Sequence, residues 1–201
     1  MNFPLYEGMD DNSYEYIFKR TIDEINKNFR PNAIVLQCGA DGLSGDRLGC
    51  FNLSIKGHGS CVKYIKSLNI PMLVLGGGGY TLRNVPRCWT YETGLLLNTE
   101  LEDEIPKNDY IEYFYPEYRL HIPVTNMENA NTPDYLNEIL EKLSENLKNV
   151  VAVTPDYCLN ENKPLNTVCS YNPNEAAQKI EDEYPDSRTD VVQNTKMSLD
   201  F

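Results

Sequence analysis

The sequence predicts an α/β fold with a parallel sheet flanked by helices, and three observations carry that expectation. The runs Ala33-Ile34-Val35-Leu36-Gln37-Cys38 and Met72-Leu73-Val74-Leu75 are apolar without polar alternation, the pattern of parallel strands covered on both faces. Each breaks into glycine, the first into Gly39-Ala40-Asp41 and the second into Gly76-Gly77-Gly78-Gly79-Tyr80. Segments of helical period precede and separate them. Ligands of open α/β sheets bind in the crevice beyond the carboxyl ends of the strands, so Asp41 and Tyr80 are the groups placed for chemistry. Asp41 can bind a cation; Tyr80 can donate a hydrogen bond.

The elements follow in order. Asn12 and Glu15 have the spacing of a capping box, and Tyr14, Ile17, Phe18, Ile22, Ile25 and Phe29 recur at helical intervals until Pro31 ends the pattern. The first strand follows, then the glycine-rich stretch Asp41 to Gly49, which reads as a loop. A second helix is expected from Ser54 to Leu68, with Cys61, Val62, Ile65 and Leu68 on one face and Asn69 as its stop. Pro71 opens the second strand. Asn84 to Leu97 is helical with an unusually apolar surface, which predicts deep packing, with Trp89 as a core residue rather than a ligand contact. An acidic connector, Glu100 to Pro106, leads to the aromatic segment Tyr110 to Tyr118 and a short extended piece, Arg119 to Ile122. Thr132 caps a last helix with Pro133 and Asp134 in its first turn and Leu136, Ile139, Leu140, Leu143 and Leu147 on its apolar face. Residues 1–150 are thereby read as the folded part and 151–201, rich in Asn, Asp, Glu, Ser and Pro, as an acidic, mostly disordered tail.

A length of 201 residues allows a sizeable core. The formal net charge of -12 argues against direct nucleic-acid binding, which relies on clusters of Lys and Arg. No apolar stretch is long enough to cross a bilayer, and Met1 to Asp10 has neither a basic region nor an apolar signal core, the pattern of a soluble intracellular protein. Six cysteines, at 38, 50, 61, 88, 158 and 169, form no Cys-x-x-Cys pair and sit mostly among apolar neighbours, as reduced buried thiols do.

Each candidate group has a plainer reading beside it. A single aspartate after a strand is more often a turn or cap residue than a metal ligand. The glycine run lacks the Gly-x-x-x-x-Gly-Lys spacing of a phosphate cradle, which disfavours nucleotide binding. Its steric use is to let backbone and Tyr80 approach a narrow substrate channel. A phenol there can donate to an oxyanion forming on an attacked carbonyl, whereas the alternative is a tyrosine packed at a strand end.

Gly39-Ala40-Asp41, Ser44-Gly45-Asp46-Arg47-Leu48-Gly49-Cys50-Phe51-Asn52-Leu53, Gly76 to Val85 and Arg87-Cys88-Trp89-Thr90-Tyr91-Glu92-Thr93 together resemble the class I histone deacetylases. The resemblance runs from about Met1 to Tyr118, continues weakly through the last helix, and returns at Tyr184-Pro185-Asp186-Ser187-Arg188. It implies an arginase-like α/β fold and zinc-dependent hydrolysis of acetyl-lysine on histones and other proteins, in the nucleus, with acetylated histone tails and corepressor subunits as partners. Asp41 then matches an aspartate zinc ligand and Tyr80 the tyrosine that polarises the acetyl carbonyl. Leu48, Gly77 and Gly78 match walls of the acyl-lysine tunnel. Arg47, Arg83 and Tyr113 match positions that contact an inositol phosphate at the corepressor interface; for the arginines, ion pairing with local carboxylates is the other reading.

The sequence also departs from the family. It holds neither the Asp-x-His pair nor the tandem histidines of the site, since its two histidines are His58, in Lys56-Gly57-His58-Gly59, and His121, in Arg119-Leu120-His121-Ile122. Both are read as structural or surface residues. The expectation is a C-terminal portion of the catalytic domain that is inactive alone and exposes apolar sheet surface. A non-catalytic module binding corepressor and inositol phosphate is the alternative. A metal amidohydrolase acting on small acetylated amines is disfavoured by the Gly45-Asp46-Arg47-Leu48-Gly49 and Arg83 pattern.

Overall fold

The computed structural model describes residues 1–150 and 152. Apart from residue 152, the expected tail lies outside the described residues, as do Cys158 and Cys169. Helix α1 (Asp11–Phe29) begins two residues earlier than its capping-box spacing indicates. Asp10, in an extended conformation, is the cap, and its Oδ1 accepts from the Ser13 amide at 2.8 Å. The chain then enters β1 (Ile34–Gln37), passes a single 3₁₀ turn at Ala40–Gly42, and reaches α2 (Ile55–Ser67). Ser54 caps α2 by accepting from Gly57 N–H at 2.9 Å, while its own N–H donates to the Asp11 carboxylate at 2.8 Å, tying the starts of α1 and α2 together.

Strand β2 (Met72–Leu75) pairs with β1 in parallel, Ile34 opposite Met72 and Gln37 opposite Leu75. This is the expected strand-helix-strand unit. Helix α3 (Asn84–Leu97) packs on α2, and α4 (Pro133–Leu147), capped by Thr132 as predicted, packs on α1.

The expected exposure of apolar sheet surface is seen, and one expectation, for α3, is corrected. Both strands alternate between half-buried and exposed residues, so one face is uncovered, with Val35 67% and Leu73 56% exposed. An apolar run marks a strand that some partner covers, and the described helices supply only one side. In α3 the buried positions are largely polar, Asn84, Arg87 and Glu92 beside Cys88 and Gly94, and Leu97 is exposed. The reason is hydrogen bonding. Arg87 donates to the carbonyls of Arg119 at 2.7 Å and Phe114 at 3.2 Å, and its guanidinium lies 5.0 Å from the Phe114 ring centre. It therefore anchors the aromatic segment.

The core is divided. One cluster, Ala40, Leu43, Ile55 and Cys88, lies directly under the Asp41 turn with Val85, Trp89, Tyr91 and Ile122 around it. The other, Met9, Ile17 and Leu136, joins the N-terminal segment, α1 and α4. Cys38, Cys61 and Cys88 are buried free thiols, as read from sequence, but Cys50 is exposed. Burial pushes Cys38 and Cys61 up to about 12, which leaves them protonated and unreactive at neutral pH.

Candidate functional site

The site is built where the two strands end. The parallel ladder continues past both, Cys38 N–H donating to Leu75 O at 2.8 Å and Ala40 N–H to Gly78 O at 2.7 Å. That brings the Asp41 turn against the glycine run. A Cβ at Gly78 would stand 2.6 Å from Asp41 Oδ2, and one at Gly39 would stand 2.8 Å from Oδ1. The carboxylate thus lies between two glycines because no other residue leaves room for it. Gly76 makes room for the Trp89 ring and Gly77 for the Gln37 amide and Gly39. Trp89 Nε1 also donates to Cys38 O at 2.7 Å, a core role as predicted.

Asp41 accepts no hydrogen bond from the described side chains and lines a cavity of about 360 Å³ with Tyr14, Gln37, Phe51, Leu53 and His58. Gly49 presses on the other side of the same turn, where a Cβ would lie 1.7 Å from Asp41 O. Tyr80 is not part of that cavity; it is half-exposed beyond Gly79, whose φ of 144° only glycine adopts readily. Its backbone N–H donates to Asp46 Oδ2 at 2.8 Å, across from the Asp41 loop.

Beneath Asp41 lies a buried polar pair that its sequence context did not reveal. His58 Nδ1 is 2.5 Å from Glu92 Oε1, and Nε2 is 2.9 Å from Gly39 O. Facing a carbonyl, which only accepts, and a carboxylate, the ring is placed to donate from both nitrogens as an imidazolium. Burial opposes that charge, but the Glu92 carboxylate and the Gly39 carbonyl outweigh it and hold the His58 pKa above its ordinary value. His58, Cys88 and Glu92 place three possible metal-ligating atoms within 4.8 Å of one another. This is a candidate metal group by composition, yet as arranged the imidazolium has no free lone pair and burial, followed by the Glu92 charge, raises the Cys88 thiol. The geometry is that of a pair supporting the Gly39 peptide. His121 packs its ring edge-on to Tyr91, with ring centres 4.7 Å apart.

Residues 1–96 match the family model for the histone deacetylase domain. Over 150 residues the chain is 58% identical to Type-1 histone deacetylase 1 of Dictyostelium discoideum, a match covering 75% of this chain and 30% of that protein. It is 60% identical over 148 residues to histone deacetylase 1 of Homo sapiens, covering 74% of this chain and 31% of that protein. The chain is thus similar to the histone deacetylases over about three quarters of its length. It spans about 30% of the length of these curated relatives. Its parallel strands and flanking helices are accordingly part of the arginase-like deacetylase fold.

In a deacetylase site the implied group is zinc, and the described residues do not fit it by themselves. Catalytic zinc takes three protein ligands and an open position. Here Asp41 is one free carboxylate, and its histidine neighbour is engaged at both nitrogens. The chain therefore lacks a complete metal set among its described residues. Leu48 is 69% exposed, next to Asp46 rather than inside the cavity. Arg47, Arg83 and Tyr113 are all exposed; neither arginine has an ion pair among the described residues, and Arg83 Nη1 donates to Tyr115 O at 3.4 Å. Local ion pairing is thus not what these arginines do here. Sequence reading passed over Asp46 and Glu92 as functional residues. The spacing of Asp46 to Leu48 and Gly49 signals a local turn, but nothing local signals its reach to Tyr80.

Proposed function

We propose that this chain supplies one part of a lysine deacetylase site, with Asp41 as a single zinc ligand and Tyr80 as the donor to the acetyl oxygen. The observation that carries this reading is the free Asp41 carboxylate held between Gly39 and Gly78, on a turn tethered to the backbone of Tyr80. Hydrolysis of an acetyl-lysine adds water across the amide: the C–N bond breaks, acetate leaves, and the amine takes a proton. Negative charge collects on the acetyl oxygen as the carbonyl carbon becomes tetrahedral. A phenol donating there stabilises that charge more than the ground-state carbonyl, which is what accelerates a reaction. Tyr80, half-exposed at the end of a rigid strand extension, is suited to it. Leu48, Gly77 and Gly78 would line the approach of the acyl-lysine. Neither a general base nor the remaining zinc ligands occur among the described residues, so the chain alone is inactive.

The substrates in this reading are acetylated histone tails and the location is the nucleus, in keeping with the histone deacetylases it is similar to. A net charge of -12 suits a basic peptide rather than DNA as the direct contact. Corepressor subunits and an inositol phosphate are the proposed partners of Arg47, Arg83 and Tyr113, supported by two exposed guanidiniums that form no ion pair among the described residues. That same observation favours the second reading, a binding module without catalysis.

The test combines the chain with a polypeptide carrying the family's Asp-x-His and tandem histidine segments and follows release of acetate from an acetyl-lysine peptide. Turnover that Asp41→Ala and Tyr80→Phe each reduce by at least a hundredfold supports the deacetylase reading. Turnover unchanged by both substitutions removes their assigned roles, and capture of a polyphosphate with no turnover favours the binding module.

A further inference from the structure

We propose that Asp46 is a positioning residue that sets where Tyr80 stands relative to Asp41, by clamping the two loops that carry them. The proposal rests on the deacetylase reading for its catalytic meaning, but its geometry stands by itself. Asp46 Oδ1 accepts from Leu48 N–H at 2.9 Å and Gly49 N–H at 2.8 Å. Its Oδ2 accepts from Tyr80 N–H at 2.8 Å and Thr81 N–H at 3.2 Å. Two oxygens with two lone pairs each are thereby fully engaged by four backbone amides.

The two arms do different things. The Oδ1 arm is local and closes the Asp41 loop, placing Gly49 against the Asp41 carbonyl, where a Cβ would come within 1.7 Å. The Oδ2 arm crosses 34 and 35 residues of sequence to the far loop. The ladder between the strands stops at the bond from Ala40 to Gly78, and Gly79 then turns away through a positive φ. Beyond that point Tyr80 is held by Asp46 at its amide, with a second bond from Thr81 Oγ1 to Gly45 O at 2.8 Å beside it. A local turn needs only the first arm. The second exists to hold the tyrosine loop.

Charge strengthens the clamp. Hydrogen bonds to an ionised acceptor are stronger than neutral ones, and four of them keep the Asp46 carboxyl ionised below the usual carboxylate range even though partial burial opposes it. Asparagine cannot replace it. Its amide nitrogen is a donor, so whichever arm met that nitrogen would face two N–H groups donor to donor. Glutamate keeps both oxygens on a longer stem and should rescue part of the effect.

The test is amide hydrogen exchange of the full 201-residue chain, read residue by residue. In the parent, the amides of Tyr80 and Thr81 are expected to be protected together with those of Leu48 and Gly49. Asp46→Asn should speed exchange at Tyr80 and Thr81 at least tenfold while Cys38 and Ala40, bonded across the strand ends, keep their protection; Asp46→Glu should recover part of it. Unprotected Tyr80 and Thr81 amides in the parent overturn the proposal without any variant. Equal loss at Cys38 and Ala40 in Asp46→Asn overturns it too, because the role is then merely structural. In an assembly that deacetylates, Asp46→Asn should lower kcat with little change in KM; an unchanged kcat denies the clamp a part in catalysis. If protection follows the expected pattern and no assembly deacetylates, the clamp stands and the deacetylase reading fails.

Discussion

Replacing Glu92 by glutamine tests the buried pair beneath Asp41. The side chains of His58 and Glu92 are only 13% and 3% exposed, so solvent screens little of their interaction. A neutral imidazole has one N–H, yet both His58 nitrogens face acceptors. Without the Glu92 charge, the ring must either stay charged without a counterion or turn a bare nitrogen to the Gly39 carbonyl. Breaking one side of a buried pair costs about 3–5 kcal/mol. At roughly 2–4 °C per kcal/mol for a protein of this size, Glu92→Gln should melt on the order of 6–20 °C lower. The pH dependence has a definite sign. Because the folded His58 pKa is raised, the pair's contribution is complete below the unfolded value of about 6.5 and is lost as pH rises through the folded value. Thermal unfolding by circular dichroism, run on both proteins from pH 6 upward, should show a large gap that narrows with increasing pH. A variant melting within about 2–4 °C of the parent at pH 6, or a gap that widens with pH, refutes the ion-pair assignment.

Gly78→Ala drives a methyl to 2.6 Å from Asp41 Oδ2, and overpacking of this kind should cost about 1–3 kcal/mol in urea unfolding and shift the carboxyl ¹³C resonance of Asp41. Arg87→Ala removes the donor to the Arg119 and Phe114 carbonyls and should lower stability by about 3 kcal/mol, with limited proteolysis opening first at Tyr110 to Tyr118. Under native conditions a thiol-alkylating reagent should modify Cys50 well ahead of Cys38, Cys61 and Cys88, which peptide mass mapping resolves.

Where sequence reading succeeded, the determinants were local. The strand-helix-strand order, Ser54 and Thr132 as caps, the core role of Trp89 and the placement of Asp41 at a strand end all follow from period, cap chemistry and glycine breaks within a few residues. Where it fell short, the deciding partner was distant. Asp10 prevails over Asn12 as the α1 cap with help from Asn129, whose Nδ2 donates to Asp10 Oδ2 at 2.8 Å from far along the chain. His58 finds its partners 34 and 19 residues away, and Asp46 reaches Tyr80 across 34. The polar interior of α3 was hidden because Arg87 and Glu92 look like surface residues until their acceptor carbonyls and imidazolium are seen. The uncovered strand face, by contrast, agrees with the expected exposure of apolar sheet surface. Val35, Leu73 and Leu75 carry the composition of covered residues, and composition records a partner without saying whether the described helices supply it.

On the proposed function, these residues hold one ligand of a zinc site and not the whole of it. Zinc content of the purified 201-residue chain after equilibrium dialysis, measured beside Asp41→Ala, tests that most directly. Neither protein should bind zinc stoichiometrically. One zinc bound per parent chain, lost in Asp41→Ala and accompanied by acetyl-lysine hydrolysis, would contradict that reading.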